Sequence, residues 1–181
     1  MRYFRKILGK YIYLSPINVD DVEIYTKWLN DKEVSGNLGN FKHIISTFSE
    51  QKTLERMSSE GYNFSIVGSE DDVLIGNISL NQVDNINRSA TVGLFIGEAE
   101  NRCKGYGSEA LCLILNFGFN TLNLHNIMLK VHADNEQAIA CYKKAGFREF
   151  GRRHEAKFKD GNYIDIIHME ILDSSFNVKH V

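Results

Sequence analysis

The chain has 181 residues, of which 43% are hydrophobic and 24% charged, and this length suits one domain with a sizeable core. The net charge of −2 gives no electrostatic support for nucleic-acid binding. No stretch approaches the roughly 18 apolar residues of a membrane span, and residues 1–9 lack a signal-peptide core. We therefore expect a cytoplasmic protein of one domain, 1–181, with no membrane or nucleic-acid partner and a frayed tail over 173–181.

The three cysteines predict neither a disulfide framework nor a zinc site, because their number is odd and CxxC spacing is absent. Cys112 and Cys141 fall on core-facing sides of predicted helices. Cys103 lies in a loop ahead of a predicted helix, where the pKa of a thiol can fall. A bystander role for Cys103 is favoured over a catalytic thiol, and we expect no metal site.

The first 60 residues predict a strand followed by two helices. Alternating side chains over residues 11–17 are typical of a strand, and Asp20 or Asp21 can cap a helix that carries Trp28. Residues 47–50 resemble a capping box, which would open a second helix that ends near residue 59.

The segment between these helices is predicted to be a loop, because it contains Gly36 and Gly39. This loop, residues 30–48, is a candidate substrate surface. Its acids Asp31 and Glu33 could attract a cationic amine, although exposed acids beside a helix end are more often only solvated.

Three strands are predicted next, over residues 62–68, 73–83 and 88–97. Acidic and asparagine-rich turns at 70–72 and 84–87 separate them. Such short connections join neighbouring antiparallel strands, so this part of the chain predicts an antiparallel sheet.

A glycine-containing loop follows, and it leads into a helix over residues 108–119. Gly105 and Gly107 lack Cβ atoms, so the backbone can approach a ligand closely. The free N–H groups of the first helical turn would attract a phosphate, and Arg102 and Lys104 would add positive charge. Taken alone, two glycines before a helix are more often a tight turn.

Two familiar phosphate-binding loops do not fit this segment. A P-loop ends in Gly-Lys-Ser/Thr, whereas Gly107 is followed by Ser108 and Glu109. The dinucleotide fingerprint needs a third glycine where this chain has Ala110, and it belongs early in a βαβ unit. The loop therefore favours a different phosphate carrier.

The predicted helix carries the chain over to a strand at residues 127–131, which can pair only in parallel with the strand before the loop. A ligand crevice is expected at the carboxyl ends of this pair. Residues 134–147 predict a short helix with a capping aspartate at its start and Gly146 after its end. A final hairpin joins strands at 148–158 and 163–172. The fold class is α/β with a mixed sheet.

Two motifs in this half resemble those of the GNAT superfamily of acyl-CoA-dependent N-acetyltransferases. Residues 102–107, Arg-Cys-Lys-Gly-Tyr-Gly, resemble its (Q/R)-x-x-G-x-(G/A) pyrophosphate loop. Residues 135–147 resemble its N-x-x-A-x-x-x-Y-x-x-x-G-F helix. Residues 14–34 and 158–169 more loosely resemble the branch that acetylates ribosomal-protein N-termini and polyamines. The resemblance implies a splayed parallel strand pair joined by the crossover helix.

The resemblance also implies roles for individual residues, with acetyl-CoA as co-substrate. The backbone of Phe95, Ile96 and Gly97 would pair with the pantetheine and the acyl carbonyl, and Asn135 would contact the pantetheine arm. Tyr142 would act as general acid on the leaving thiolate, since a phenol with a pKa near ~10 is protonated at neutral pH. The pyrophosphate would be held by Arg102, Cys103, Lys104, Gly105, Tyr106, Gly107 and Ser108.

The expected reaction is direct attack of an amine on the thioester in a ternary complex, with strand N–H groups stabilising the oxyanion. Glu98, Glu100 and His132 are open candidates for accepting the amine proton, and each is more often structural or solvated. Cys103 departs from the pattern, because relatives usually have glycine there. The first N–H of the loop is therefore expected to be less accessible.

Two other classes of protein are weighed against this enzyme. A non-catalytic acyl-CoA binding module would keep the loop, but Tyr142 and Asn135 favour the enzyme. A nucleic-acid-binding domain would need a basic face with interleaved aromatics, whereas the basic residues over 148–159 are diluted by acids. The acceptor stays open among a protein N-terminus, a polyamine, an aminosugar and an antibiotic amine. A homodimer is common among similar proteins.

Overall fold

The computed structural model describes residues 2–39 and 42–176, and its centre is one mixed sheet of eight strands within these ranges. The strands are β1 (Ile7–Leu8), β2 (Ile12–Pro16), β3 (Tyr62–Gly68), β4 (Leu74–Asp84), β5 (Ser89–Ile96), β6 (Asn126–His132), β7 (Arg148–Lys159) and β8 (Asn162–Leu172). Their order across the sheet is β1-β2-β3-β4-β5-β6-β8-β7. Every neighbouring pair is antiparallel except β5 and β6, which are parallel. The predicted mixed sheet is confirmed.

Helices cover both faces of this sheet. They are α1 (Val22–Asn30), α2 (Lys32–Leu38), α3 (Thr47–Ser59), α4 (Tyr106–Asn116) and α5 (Glu136–Lys144). A π-helical turn, Phe117–Thr121, extends α4. Among the described residues no helix is long and apolar enough to cross a membrane.

The strand pattern divides the buried residues into two cores, because successive side chains point to opposite faces of a sheet. On one face, α4 and α5 pack on a large core that includes Leu14, Ile66 and Ile127. On the other face, Tyr13 and Val67 belong to a smaller core formed with the following residues of the first three helices: Tyr25, Trp28, Val34 and Leu54.

The predicted loop after α1 is wrong at its start, where the chain forms α2. The Asp31 carboxylate caps this helix by accepting the Glu33 backbone N–H at 2.7 Å, and Val34 is only 4% exposed. The helix ends at Gly39, whose φ of +73° suits glycine. A short helix therefore forms despite Gly36 and Gly39, because Val34 is buried in the core.

Smaller differences concern the ends of elements. The cap of α3 is a reciprocal Ser46 and Ser49 box rather than residues 47–50, and Glu50 is buried instead. Asn135, rather than the preceding aspartate, caps α5 through the Ala138 N–H. The tail expected to fray from residue 173 forms a 3-10 turn, Asp173–Ser175. Phe176 then packs on Phe119 at a ring distance of 5.3 Å. Residues 177–181 lie outside the described residues.

Candidate active site

A cleft opens where β5 and β6 separate. Their parallel pairing runs only from Ser89 opposite Asn126 to Thr91 opposite Met128. Beyond this point β5 continues beside β4 as far as Ile96, and β6 continues beside β8 as far as His132. The carboxyl-terminal halves of the two strands therefore line a V-shaped gap, at the position where the sequence predicts a crevice.

Alternate backbone groups of β5 face this cleft. The Gly97 N–H donates to the Ile75 carbonyl at 3.0 Å, toward β4, whereas the Arg88 carbonyl accepts from His125 on the β6 side. Because N–H and C=O groups alternate between the two edges of a strand, the amides of Leu94 and Ile96 point into the cleft. The backbone N–H group of Ile96 therefore faces the space that a ligand would occupy.

The position of Gly97 differs from its predicted role in binding the co-substrate. Its N–H is paired with Ile75, and its carbonyl accepts a hydrogen bond from the Arg102 guanidinium at 3.0 Å. A Cβ atom at this position would overlap the Trp28 indole. The glycine is therefore required by packing against α1. The Phe95 amide faces β4 by the same alternation, although Phe95 lines the cavity described below.

The glycine loop ends at the N-terminus of α4. Gly105 is the N-cap, with φ +90° and no capping side chain, and the first intrahelical bond runs from the Glu109 N–H to the Gly105 carbonyl. The N–H groups of Tyr106, Gly107 and Ser108 consequently have no acceptor within the helix. A Cβ on Gly105 would meet no atom within 4 Å, so space is open for a ligand at this end. An anion suits these N–H groups and the helix dipole.

Cys103 has φ +59°, a left-handed backbone conformation that a glycine adopts without strain. The family motif that residues 102–107 resemble would have glycine here, which suits this conformation. The Cys103 sulfur lies 2.8 Å from Nε2 of Gln137, on α5, and its side chain is exposed. The thiol thus lies at the rim of the site, between the loop and α5.

Arg102 and Lys104, the two cationic residues of the loop, differ in their position relative to the site. The Arg102 guanidinium lies 2.8 Å from the Glu33 carboxylate of α2, so it ties the loop to that helix. The sequence left Glu33 as a possible attractant for a cationic amine, but in the structure this carboxylate is paired with Arg102 and Asp31 is a helix cap. Lys104 does not line the cavity.

The cleft, the loop and three helices enclose a cavity of about 690 Å³. Nine of the predicted site residues line it: Phe95, Ile96, Arg102, Cys103, Gly105, Gly107, Ser108, Asn135 and Tyr142. Gly97, Lys104 and Tyr106 do not. Residues of α2 and of strands β6, β7 and β8 also line the cavity and were not predicted from the sequence: Val34, Asn37, Leu38, Lys130, Lys157 and Ile166. Recognising Asp31 as a helix cap would have pointed to α2.

Tyr142 projects from α5 into this cavity, and its ring packs edge-on against Phe147 at 5.9 Å. Burial raises the pKa of Tyr142 to about 12, so the phenol is protonated across the neutral range. Its hydroxyl has no hydrogen-bond partner among the described residues. Asn135, at the start of the same helix, uses its side-chain oxygen to cap Ala138.

Glu98, Glu100 and His132 are the residues that the sequence offers as acceptors of the amine proton. Of these three, only His132 lines the cavity. Glu98 binds Lys27 at 2.6 Å and the Trp28 indole N–H at 2.9 Å, and these hydrogen bonds lower its pKa. Glu100 lies on the exposed turn Ala99–Asn101. His132 is 8% exposed, burial lowers its pKa, and its Nδ1 has no partner in the described part of the chain.

Comparison with known proteins identifies the family. A sequence model of the acetyltransferase (GNAT) domain matches residues 12–148. This chain belongs to the GNAT acetyltransferase family. It is therefore an acyltransferase, as the resemblance of its two motifs predicts.

Individual relatives agree with this assignment. An uncharacterised N-acetyltransferase, p20, from Bacillus licheniformis is 26% identical over 90% of this chain and 93% of its own. Spermidine N(1)-acetyltransferase from Vibrio cholerae is 36% identical over 57% of this chain and 59% of its own. The crystal structure of a Vibrio cholerae spermidine N-acetyltransferase with CoA and spermine superposes with a TM-score of 0.81 at 26% identity. That match covers 92% of this chain and 98% of the other.

The two glycines at the ends of the loop are expected to respond differently to substitution. Gly97→Ala should lower the free energy of unfolding by about 1–3 kcal/mol, because the new methyl group must displace Trp28. Gly107→Ala is the matched control. Its Cβ would lie 3.7 Å from Leu94 and 3.8 Å from Ile96, which is ordinary contact, so stability should change little. Urea unfolding of both variants tests this, and equal stabilities would contradict the packing role of Gly97.

Proposed function

We propose that this GNAT protein is an acetyl-CoA-dependent N-acetyltransferase that acts on a primary amine by direct attack in a ternary complex. The proposal depends on one observation. The cleft amides of β5, the uncapped N-terminus of α4 and the unpaired Tyr142 hydroxyl converge on the same cavity.

The residues present suit CoA. The amides of Leu94 and Ile96 are placed to pair with the pantetheine as a further strand would. The N–H groups of Tyr106, Gly107 and Ser108 would bind the pyrophosphate, and the open space beside Gly105 leaves room for it. The relative that was crystallised with CoA shares this fold, which supports the proposal. Asn135 would shape the cleft through its cap, since its side-chain oxygen already accepts the Ala138 N–H and would not accept a hydrogen bond from the pantetheine.

In the reaction, the C–N bond to the amine forms as the C–S bond of the thioester breaks. A cleft N–H of β5 would bind the developing oxyanion, and Tyr142 would donate a proton to the departing sulfur. His132 would receive the amine proton, because it is the buried, uncharged base that lines the cavity among the described residues. The roles of the β5 amide, Tyr142 and His132 are inferred from their positions at the cavity and from the chemistry of each group.

Several classes of amine are compatible with this reaction as the acceptor. A polyamine is the alternative suggested by the spermidine acetyltransferase relative, and a protein N-terminus or an aminosugar is compatible with the same chemistry. A non-catalytic acyl-CoA binding module is the alternative of another class, and turnover with any amine would exclude it. A single domain, a homodimer and a cytoplasmic location remain predictions.

Acetyl-CoA should stabilise the protein against thermal unfolding. A ligand at 100 times its Kd adds about 2.7 kcal/mol of stability. We expect free ADP to produce a smaller shift, because it lacks the pantetheine that the β5 amides would pair with. No shift at millimolar acetyl-CoA would contradict the proposed use of the loop and the cleft.

Tyr142→Phe should lower turnover by about 10²-fold, the scale of one general acid, with little change in acetyl-CoA affinity. The hydroxyl is the group removed, and the ring contact with Phe147 is retained. Tyr11→Phe on the exposed surface is the control and should leave turnover unchanged. An unaltered kcat in the Tyr142 variant would remove this residue from the mechanism.

His132→Gln should lower kcat and remove the acid limb of the pH profile. The mechanism needs the unprotonated imidazole, and burial lowers its pKa below 6.5, so activity should fall only as the pH drops below that value. His125→Gln, just before β6 and outside the cavity lining, is the matched control. If the acid limb persists in the His132 variant, another group accepts the proton.

A further inference from the structure

The charges around the cavity are mainly positive. Glu33 is the one carboxylate in the described lining, and it is already bound to Arg102. Lys130, Lys144 and Lys157 also line the cavity. Lys130 and Lys144 are exposed and screened by solvent, whereas Lys157 is half-buried, so it is Lys157 that most strongly opposes a multiply charged cationic acceptor. The lining suits a ligand that carries negative charge.

Lys157 lies at the side of the cavity where an acceptor would enter. It is on β7, opposite Ile164 of β8, and its side chain is half-buried. Its Nζ lies 3.1 Å from the point that a Gly39 Cβ would occupy, and Nε2 of His132 lies 3.5 Å from the same point. The ammonium group and the candidate base are therefore neighbours at the end of α2.

Lys157 also differs from the lysines around it. Lys159 is bound to Asp134 at 2.8 Å, and Lys32 is bound to Asp160 at 2.9 Å. Lys157 has no ion pair within residues 2–39 and 42–176. An ammonium that is half-buried and without a carboxylate can bind one from a ligand at little further desolvation cost.

We propose that the acceptor is an amine that carries a carboxylate group close to the nitrogen that is acetylated. Lys157 binds this carboxylate while the amine faces His132 and the cleft. The proposal rests on the proposed function and adds a substrate class to it. Two sources supply this chemistry, a free amino acid and the N-terminus of an acidic peptide, and the experiment below distinguishes them.

The experiment measures kcat/KM for matched pairs of acceptors through CoA thiol release. One pair is the peptide amides Ser-Asp-Glu and Ser-Asn-Gln, the second is free serine and serine amide, and spermidine represents the polycations. We expect the carboxylate member of one pair to be preferred by about 10- to 100-fold, the scale of a charge-assisted hydrogen bond. The pair that shows the preference identifies the source.

Substitutions then test whether Lys157 causes the preference. Lys157→Met should reduce the preference ratio by about 10- to 100-fold, mainly through KM, and Lys157→Arg should retain most of it. Lys6→Met, beside β1 at the opposite edge of the sheet, is the matched control and should keep the ratio. A merely structural role beside α2 would alter thermal stability and leave the ratio unchanged, which would overturn the inference.

Acceptor preference also separates this inference from the proposed function. If spermidine is acetylated faster than every carboxylate-bearing acceptor, the inference is wrong while the acetyl-CoA-dependent activity stands. If the carboxylate preference appears and Lys157→Glu transfers it to spermidine, the charge at this position determines the substrate class.

Discussion

The separation of β5 from β6 after three paired residues is the constraint on which the rest of the site depends. Each strand keeps its other neighbour, β4 or β8, so the sheet stays continuous at one end and opens at the other. The cleft-facing amides of Leu94 and Ile96 then lack a strand partner. Without a strand beside them, these N–H groups are left to donate to water or to a ligand. The opening therefore provides both the space and the unpaired donors for a ligand that binds as a further strand.

The crossover helix places the phosphate-binding groups at the same opening. A parallel pair needs a connection that returns to the starting edge of the sheet, and α4 provides it, so its N-terminus lies at the carboxyl end of β5. Contacts with α1 and α2 fix this arrangement. Glu98 binds Lys27 and Trp28 of α1, and Arg102 joins Glu33 of α2 to the Gly97 carbonyl. These contacts position the glycine loop relative to α1 and α2.

The sequence predicts most of the elements that depend on local interactions. The glycine loop, the α5 motif and the hairpins depend on residues near one another in the chain, and their positions are confirmed to within a few residues. Contacts between distant residues could not be predicted in this way. Gly97 is required by Trp28, α2 depends on a buried place for Val34, and the position of Lys157 depends on an irregular register between β7 and β8.

Burial shifts the pKa values of Tyr142 and His132 in opposite directions. Loss of hydration disfavours the charged form of any titratable group, so it raises the pKa of the phenol to about 12 and lowers that of the imidazole. Both groups are consequently uncharged at neutral pH. The uncharged phenol is an acid and the uncharged imidazole is a base, which are the forms that the proposed transfer needs. Burial is the main cause of both shifts, and the positive charges of Lys157 and Lys159 lower the pKa of His132 further while Asp134 opposes them.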